Sequence, residues 1–174
     1  MQRLVLILGC LLCLPAFADV STPASNLAGM KQVHDRIDVN LNLKGADEFG
    51  VAANEVIKIV RSAVAAGGAS MVRGDYKMPS IHVAISGESA GGGGAEFTVE
   101  LMVRALLPSP FAKDRSIEAI IWRGVSTGHH LMRYDPASKG LVKPSGAIND
   151  RVYGTVRDVA ARLSADLKAA GTGK

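Results

Sequence analysis

The segment AEFTVELMVRALL, residues 95–107, constrains the fold of this chain more than any other. Phe97, Val99, Leu101, Val103 and Ala105 are apolar, and Glu96, Thr98, Glu100 and Arg104 stand between them. An apolar side chain at every second residue is the period of a strand with one buried face, because successive side chains point to opposite sides of the pleat. A helix over the same residues would spread them nearly all round, and Thr98, Val99 and Val103 are β-branched. The run IHVAIS (81–86) precedes this strand across the turn region GESAGGGG, and IEAIIW (117–122) follows it past Pro108 and Pro110. Three successive strands, a β-meander, are expected over 81–122, with the rest of the chain packed on them.

Residues 1–18 read as a secretory signal peptide: Arg3, an apolar run over 4–14, Pro15, and the A-x-A end Ala16-Phe17-Ala18. The run is too short for a good membrane span. Cleavage is expected near Ala18-Asp19, leaving a periplasmic or secreted protein with no transmembrane helix in the mature chain. Cys10 follows Gly9, but a lipoprotein signal ending there would keep only residues 4–9 as its apolar core. Both cysteines, Cys10 and Cys13, lie in the segment to be removed. The mature chain would then have no disulfide, thiolate metal site or cysteine nucleophile. The net charge of +4 falls to about +3 without Arg3. With no basic cluster or Arg-aromatic stripe, ordinary solubility explains that surplus, and neither a nucleic-acid nor a membrane partner is expected from it.

Residues 19–34 read as a flexible leader and 35–171 as a single domain. Ile37, Val39, Leu41 and Leu43 alternate with Asp38, Asn40 and Asn42, giving a strand with one wet face. A first helix is expected over 47–66, capped by Asp47 and ended by Gly67-Gly68, with Phe49, Ala53, Val56, Val60 and Val64 as its stripe. A linker over 69–79 leaves room for a short strand at Met71-Val72. A last helix over 150–170, capped by Asn149 and followed by Gly171, would bury Val152, Val156, Val159, Leu163 and Leu167. One more short strand is expected around 130–134, before the Asp135-Pro136 turn. The order β-α-β-β-β-(β)-α makes an α+β two-layer sandwich: a mainly antiparallel sheet of four to five strands with two amphipathic helices on one face.

Gly87-Glu88-Ser89-Ala90-Gly91 is a G-x-S-x-G match after a strand. With its flanks, IHVAISGESAGG resembles the serine motif of the carboxylesterase and lipase group of α/β-hydrolases. The resemblance implies Ser89 as nucleophile, the Ala90 N–H as half of an oxyanion hole, and a downstream acid and base, Asp114 or Glu118 with His129 or His130. An elbow of that kind must lead into a helix, whereas residues 95–107 prefer a strand. One strand and one helix precede the motif where that fold has several, and no Gly-rich oxyanion loop lies upstream. The match is read as coincidental, and 86–94 as a long mobile hairpin loop.

His129-His130 with His34, His82, Met102 and Met132 offers copper or zinc donors. Neighbours on a strand face opposite ways, so the pair cannot share one ion there, and no cofactor is expected. Trp122, the only tryptophan, reads as an anchor beneath a helix, and Trp122-Arg123 as a secondary binding surface beside Gly87, Glu88, Ser89, Gly91 and Gly92. The element order resembles small Gram-negative envelope accessory domains: the amino-terminal domain of the Tol-system periplasmic protein and the core of the curli-secretion lipoprotein. That resemblance implies an exported, non-catalytic accessory or scaffold protein acting on an envelope protein partner or small ligand. A small serine esterase and a periplasmic metal binder are the alternatives.

Overall fold

Alternation over Ile37–Lys44, Ser80–Gly91 and Gly94–Pro108 and a 3.6-residue stripe in two helices assign inner and outer faces over much of the described chain. The computed structural model describes residues 24–74, 77–91, 94–112, 114–131, 133–142 and 146–172. The expected signal peptide and its cleavage site, Gly92 and Met132 lie outside the described residues.

Four strands form one mixed sheet in the order β2-β4-β5-β6: β2 (Ile37–Lys44), β4 (Ser80–Gly91), β5 (Gly94–Pro108) and β6 (Ser116–His130). β4, β5 and β6 are the antiparallel meander, while β2 pairs parallel with β4 through a helical crossover. Ala95, Phe97, Val99, Leu101 and Val103 of β5 are all buried, and with Ile81, Val83 and Ile85 of β4 they form the centre of the core. Helices α2 (Ala53–Ala66) and α3 (Ile148–Thr172) pack on each other and cover this face. The architecture is α+β with its two long helices on one side of the sheet.

The N-terminal expectations need correction. Residues 24–34 are part of the fold, not leader: a 3-10 turn at Ala24–Leu27 and β1 (Gln32–His34) bury Leu27 and Val33 in the core. β1 pairs parallel with β3 (Ser70–Val72), the short strand expected at Met71-Val72. The first helix is broken. A single turn, α1 (Ala46–Phe49), lies between Gly45 and Gly50, both in the left-handed region that a side chain resists, and α2 starts afresh at Ala53. Asp47 therefore caps nothing; the Ala52 N–H at the start of α2 donates instead to the Tyr153 hydroxyl of α3 at 2.9 Å.

Two further strand expectations change. β6 runs on to His130, and the expected extra strand becomes β7 (Arg133–Asp135), which pairs with β8 (Gly140–Val142) in a separate hairpin. β6 keeps its buried face with small residues: Gly124, Ser126 and Gly128 stand on the row of Trp122 and His130. α3 fills the space left, so that a Cβ on Gly128 would lie 2.3 Å from the Phe97 ring and 3.0 Å from Thr155 Oγ1. α3 itself runs from Ile148 to Thr172, taking Asn149 and Gly171 inside the helix.

Candidate functional site

The G-x-S-x-G residues do not form an elbow. β4 continues through Gly87 and Ser89 to Gly91, which pairs with Gly94 at the start of β5. The expected long loop is thus mostly ladder. Gly87 is required for that pairing, since a Cβ there would meet the Glu96 carbonyl at 2.7 Å. Ser89 Oγ donates to the Glu48 carboxylate of α1 and lies 3.4 Å from the Gly94 carbonyl. This serine ties the hairpin to the turn over Gly45, whose added Cβ would lie 3.0 Å from Ser89 Cβ.

The structure separates most of the implied catalytic partners. His130 shares Ser89's face, with Ala95 between them in register, but its side chain is buried (5 % exposed). His129 points to the other face, 3.8 Å from Glu96. Asp114 and Glu118 belong to the far end of the β5–β6 pair, roughly 40 Å from Ser89 at about 3.3 Å per residue of β5. His129 and His130 likewise cannot hold one ion between them. Among the described residues no group of three or more His, Cys, Asp or Glu side chains is placed to bind a metal. Trp122 is fully buried, as an anchor beneath α3, and its Nε1–H donates to Asp166 at 2.8 Å.

What the structure assembles is the sheet face opposite the helices. Register places its side chains in cross-strand rows of four: Asp38–His82–Met102–Arg123, Asn40–Ala84–Glu100–Val125, Asn42–Ser86–Thr98–Thr127 and Lys44–Glu88–Glu96–His129. The last two rows line a shallow depression of about 390 Å³. One row offers an amide and three hydroxyls. The other opposes two glutamates directly across β4 and β5, flanked by Lys44 at 3.4 Å from Glu88 and by His129 beside Glu96. Like charges placed opposite each other destabilise a strand pair by up to about 1 kcal/mol.

At the other end of this face Ser80 Oγ lies 2.9 Å from His82 Nε2, and His82 Nδ1 lies 3.6 Å from Asp38, which Arg36 also holds at 2.8 Å. Burial, with the Arg104 guanidinium adding to it, pushes the His82 imidazole below its ordinary pKa, against the opposing pull of Asp38 and Glu118. The 3.6 Å separation is too long for a hydrogen bond, and Ser80 and His82 are second neighbours on one strand. We read the trio as a polar patch that solvates a half-buried imidazole. Sequence reasoning missed these rows, because they depend on strand order and register, which no single strand displays.

No protein-family model matches the sequence, and no curated protein matches it. Similar solved structures include a PelC variant dodecamer from Paraburkholderia phytofirmans, 12% identical over 84% of this chain and 95% of that one, with a TM-score of 0.45. A minor lipoprotein from Acinetobacter baumannii is 10% identical over 80% and 94%, with a TM-score of 0.36. The rare lipoprotein B from Shewanella oneidensis is 12% identical over 75% and 89%, with a TM-score of 0.25. Likeness this distant carries no argument about function, and the reading below rests on this chain's own residues.

Proposed function

We propose that this is an exported accessory protein of the cell envelope that binds a partner on the open face of its sheet, without catalysis. Export is supported by the composition of residues 1–18, and an envelope role by the element order described above. The observation that carries the binding reading is the Glu88–Glu96 opposition inside the depression. Two carboxylates facing each other across strands work against stability, so their use there points to a surface selected for contact. Ser89, engaged by Glu48 and Gly94, supports the non-catalytic part of the reading.

Export is tested by fusing residues 1–23 to a reporter that becomes active only after disulfide formation; an inactive fusion would refute it. The face is tested by placing a photo-crosslinking side chain at Thr98 or Thr127 in producing cells, with Glu55 on α2 as the comparison site. A discrete adduct from the sheet positions, absent at Glu55 and lost on Glu88→Lys, is expected. No adduct from either sheet position would refute the assignment.

A further inference from the structure

β5 and β6 outrun the rest of the sheet. β4 ends at the Ser80–Arg104 pair, and beyond it β5 and β6 continue alone through four pairs, from Ala105–Ala119 to Pro108–Ser116. At about 3.3 Å per residue this ribbon runs roughly 13 Å past the end of β4, before its turn is counted. Its end is apolar: Leu107 and Ile117 are cross-strand partners, 42% and 46% exposed, and Phe111 is 95% exposed. Solvent-exposed phenylalanine on a dangling loop would be unremarkable, but this one is held out. The Ser109 N–H donates to the Arg115 carbonyl at 2.8 Å, the Arg115 N–H to the Ala112 carbonyl at 3.1 Å, and the Phe111 N–H to Ser109 Oγ at 3.2 Å. Pro108 and Pro110 stiffen the approach to it.

We propose that this tip docks on a lipid bilayer, inserting Phe111 with Leu107 and Ile117 behind it. Two observations favour a bilayer over a protein partner. The tip is a narrow projection, and a bilayer needs no matching cavity to accept one aromatic ring. Lys113 and Arg115 outnumber Asp114 beside Phe111 in the sequence, a surplus of one positive charge that suits lipid phosphate, while Glu118 is engaged by Arg104 at 3.4 Å.

The test is flotation of the protein from Asp19 onward with vesicles of phosphatidylcholine alone and of phosphatidylcholine with 30 mol% phosphatidylglycerol (about one lipid in three, a strongly anionic surface). It compares wild type with Phe111→Ser and with the double variant Leu107→Ser/Ile117→Ser. Losing a buried phenylalanine is expected to lower partitioning about ten- to a hundred-fold, the double variant to lower it comparably, and phosphatidylglycerol to strengthen wild-type binding. Equal partitioning of wild type and Phe111→Ser, or no binding to either vesicle, overturns the proposal. A concentration-dependent dimer abolished by Phe111→Ser also overturns it, making a second copy the occupant. Loss of sheet-face crosslinks with vesicle binding intact would remove the partner reading and leave this one standing.

Discussion

Replacing Gly124 by alanine tests how closely α3 lies on β6. Gly124 has no left-handed backbone, so alanine meets no torsional penalty there and the effect is steric. The new methyl would lie 2.6 Å from Trp122 Cη2 and 3.0 Å from Val159 Cγ1. Neither neighbour is the free end of a flexible chain. Trp122 is fully buried and tied to Asp166, and Val159 is fully buried on α3. Overpacking a filled core by one methyl costs about 1–3 kcal/mol, and the reduced freedom of the unfolded chain returns about 0.4–1 kcal/mol. The net destabilisation is about 0–2.6 kcal/mol, centred near about 1.3 kcal/mol. For a domain of this size the central value lowers the melting midpoint by roughly 3–5 °C. Trp122 is the only tryptophan, so its fluorescence during urea or thermal unfolding reports from the altered site itself. Gly154→Ala is the matched control: it lies within α3 with nothing within 4 Å of an added Cβ. There alanine should stabilise by about 0.5–1 kcal/mol through helix propensity alone. A Gly124→Ala protein as stable as wild type, beside a stabilised Gly154→Ala, would refute the close packing of α3 on β6.

Other perturbations separate the remaining assignments. A fluorophosphonate probe should label neither wild type nor Ser89→Ala, and labelling that disappears in the variant would restore the nucleophile reading and overturn the hairpin. Trp122→Phe should cost about 2–4 kcal/mol, from lost volume and an Asp166 carboxylate left short of a donor, measured by circular dichroism in urea. Glu96→Gln should raise stability by a few tenths to about 1 kcal/mol by removing the opposition to Glu88, and unchanged or lower stability would show that the pair is not repulsive. His82 titrates below its ordinary value when folded, chiefly through burial and secondarily through Arg104, so the unfolded chain takes up its proton first as pH falls. Its contribution is present above the ordinary imidazole range and is lost on acidification towards pH 5, so the fall in stability from about pH 7.5 to pH 5 should be shallower in His82→Gln than in wild type. An identical pH profile in the two proteins would refute it.

The meander was legible because Ala95, Phe97, Val99, Leu101 and Val103 of β5 are buried at every second residue, and α3 because its valines and leucines keep a helical interval. The failures share a cause: the sequence displays an element's own periodicity and hides what its neighbours supply. Leu27 and Val33 look like stray apolar residues among small and polar ones, yet the core and β3 give them a place. GVSTGHH in β6 shows no apolar alternation because the ring of Phe97 and the helix α3 occupy the volume above Gly124 and Gly128. GESAGGGG reads as a loop by composition, while its pairing depends on Glu96 and Phe97 accepting a strand with no side chain at Gly87. Ser89 looks like a nucleophile within five residues and becomes a tether only when Glu48, 41 residues away, is brought to it. The same limit governs the candidate surface. Lys44, Glu88, Glu96 and His129 come from four strands, and a slip of one residue in any pairing would send that strand's member of the row to the buried side. Because alternation in β2, β4 and β5 fixes the inner face independently on each strand, the row is as firmly set as the core beneath it, and its charge pattern is one that no single segment spells out.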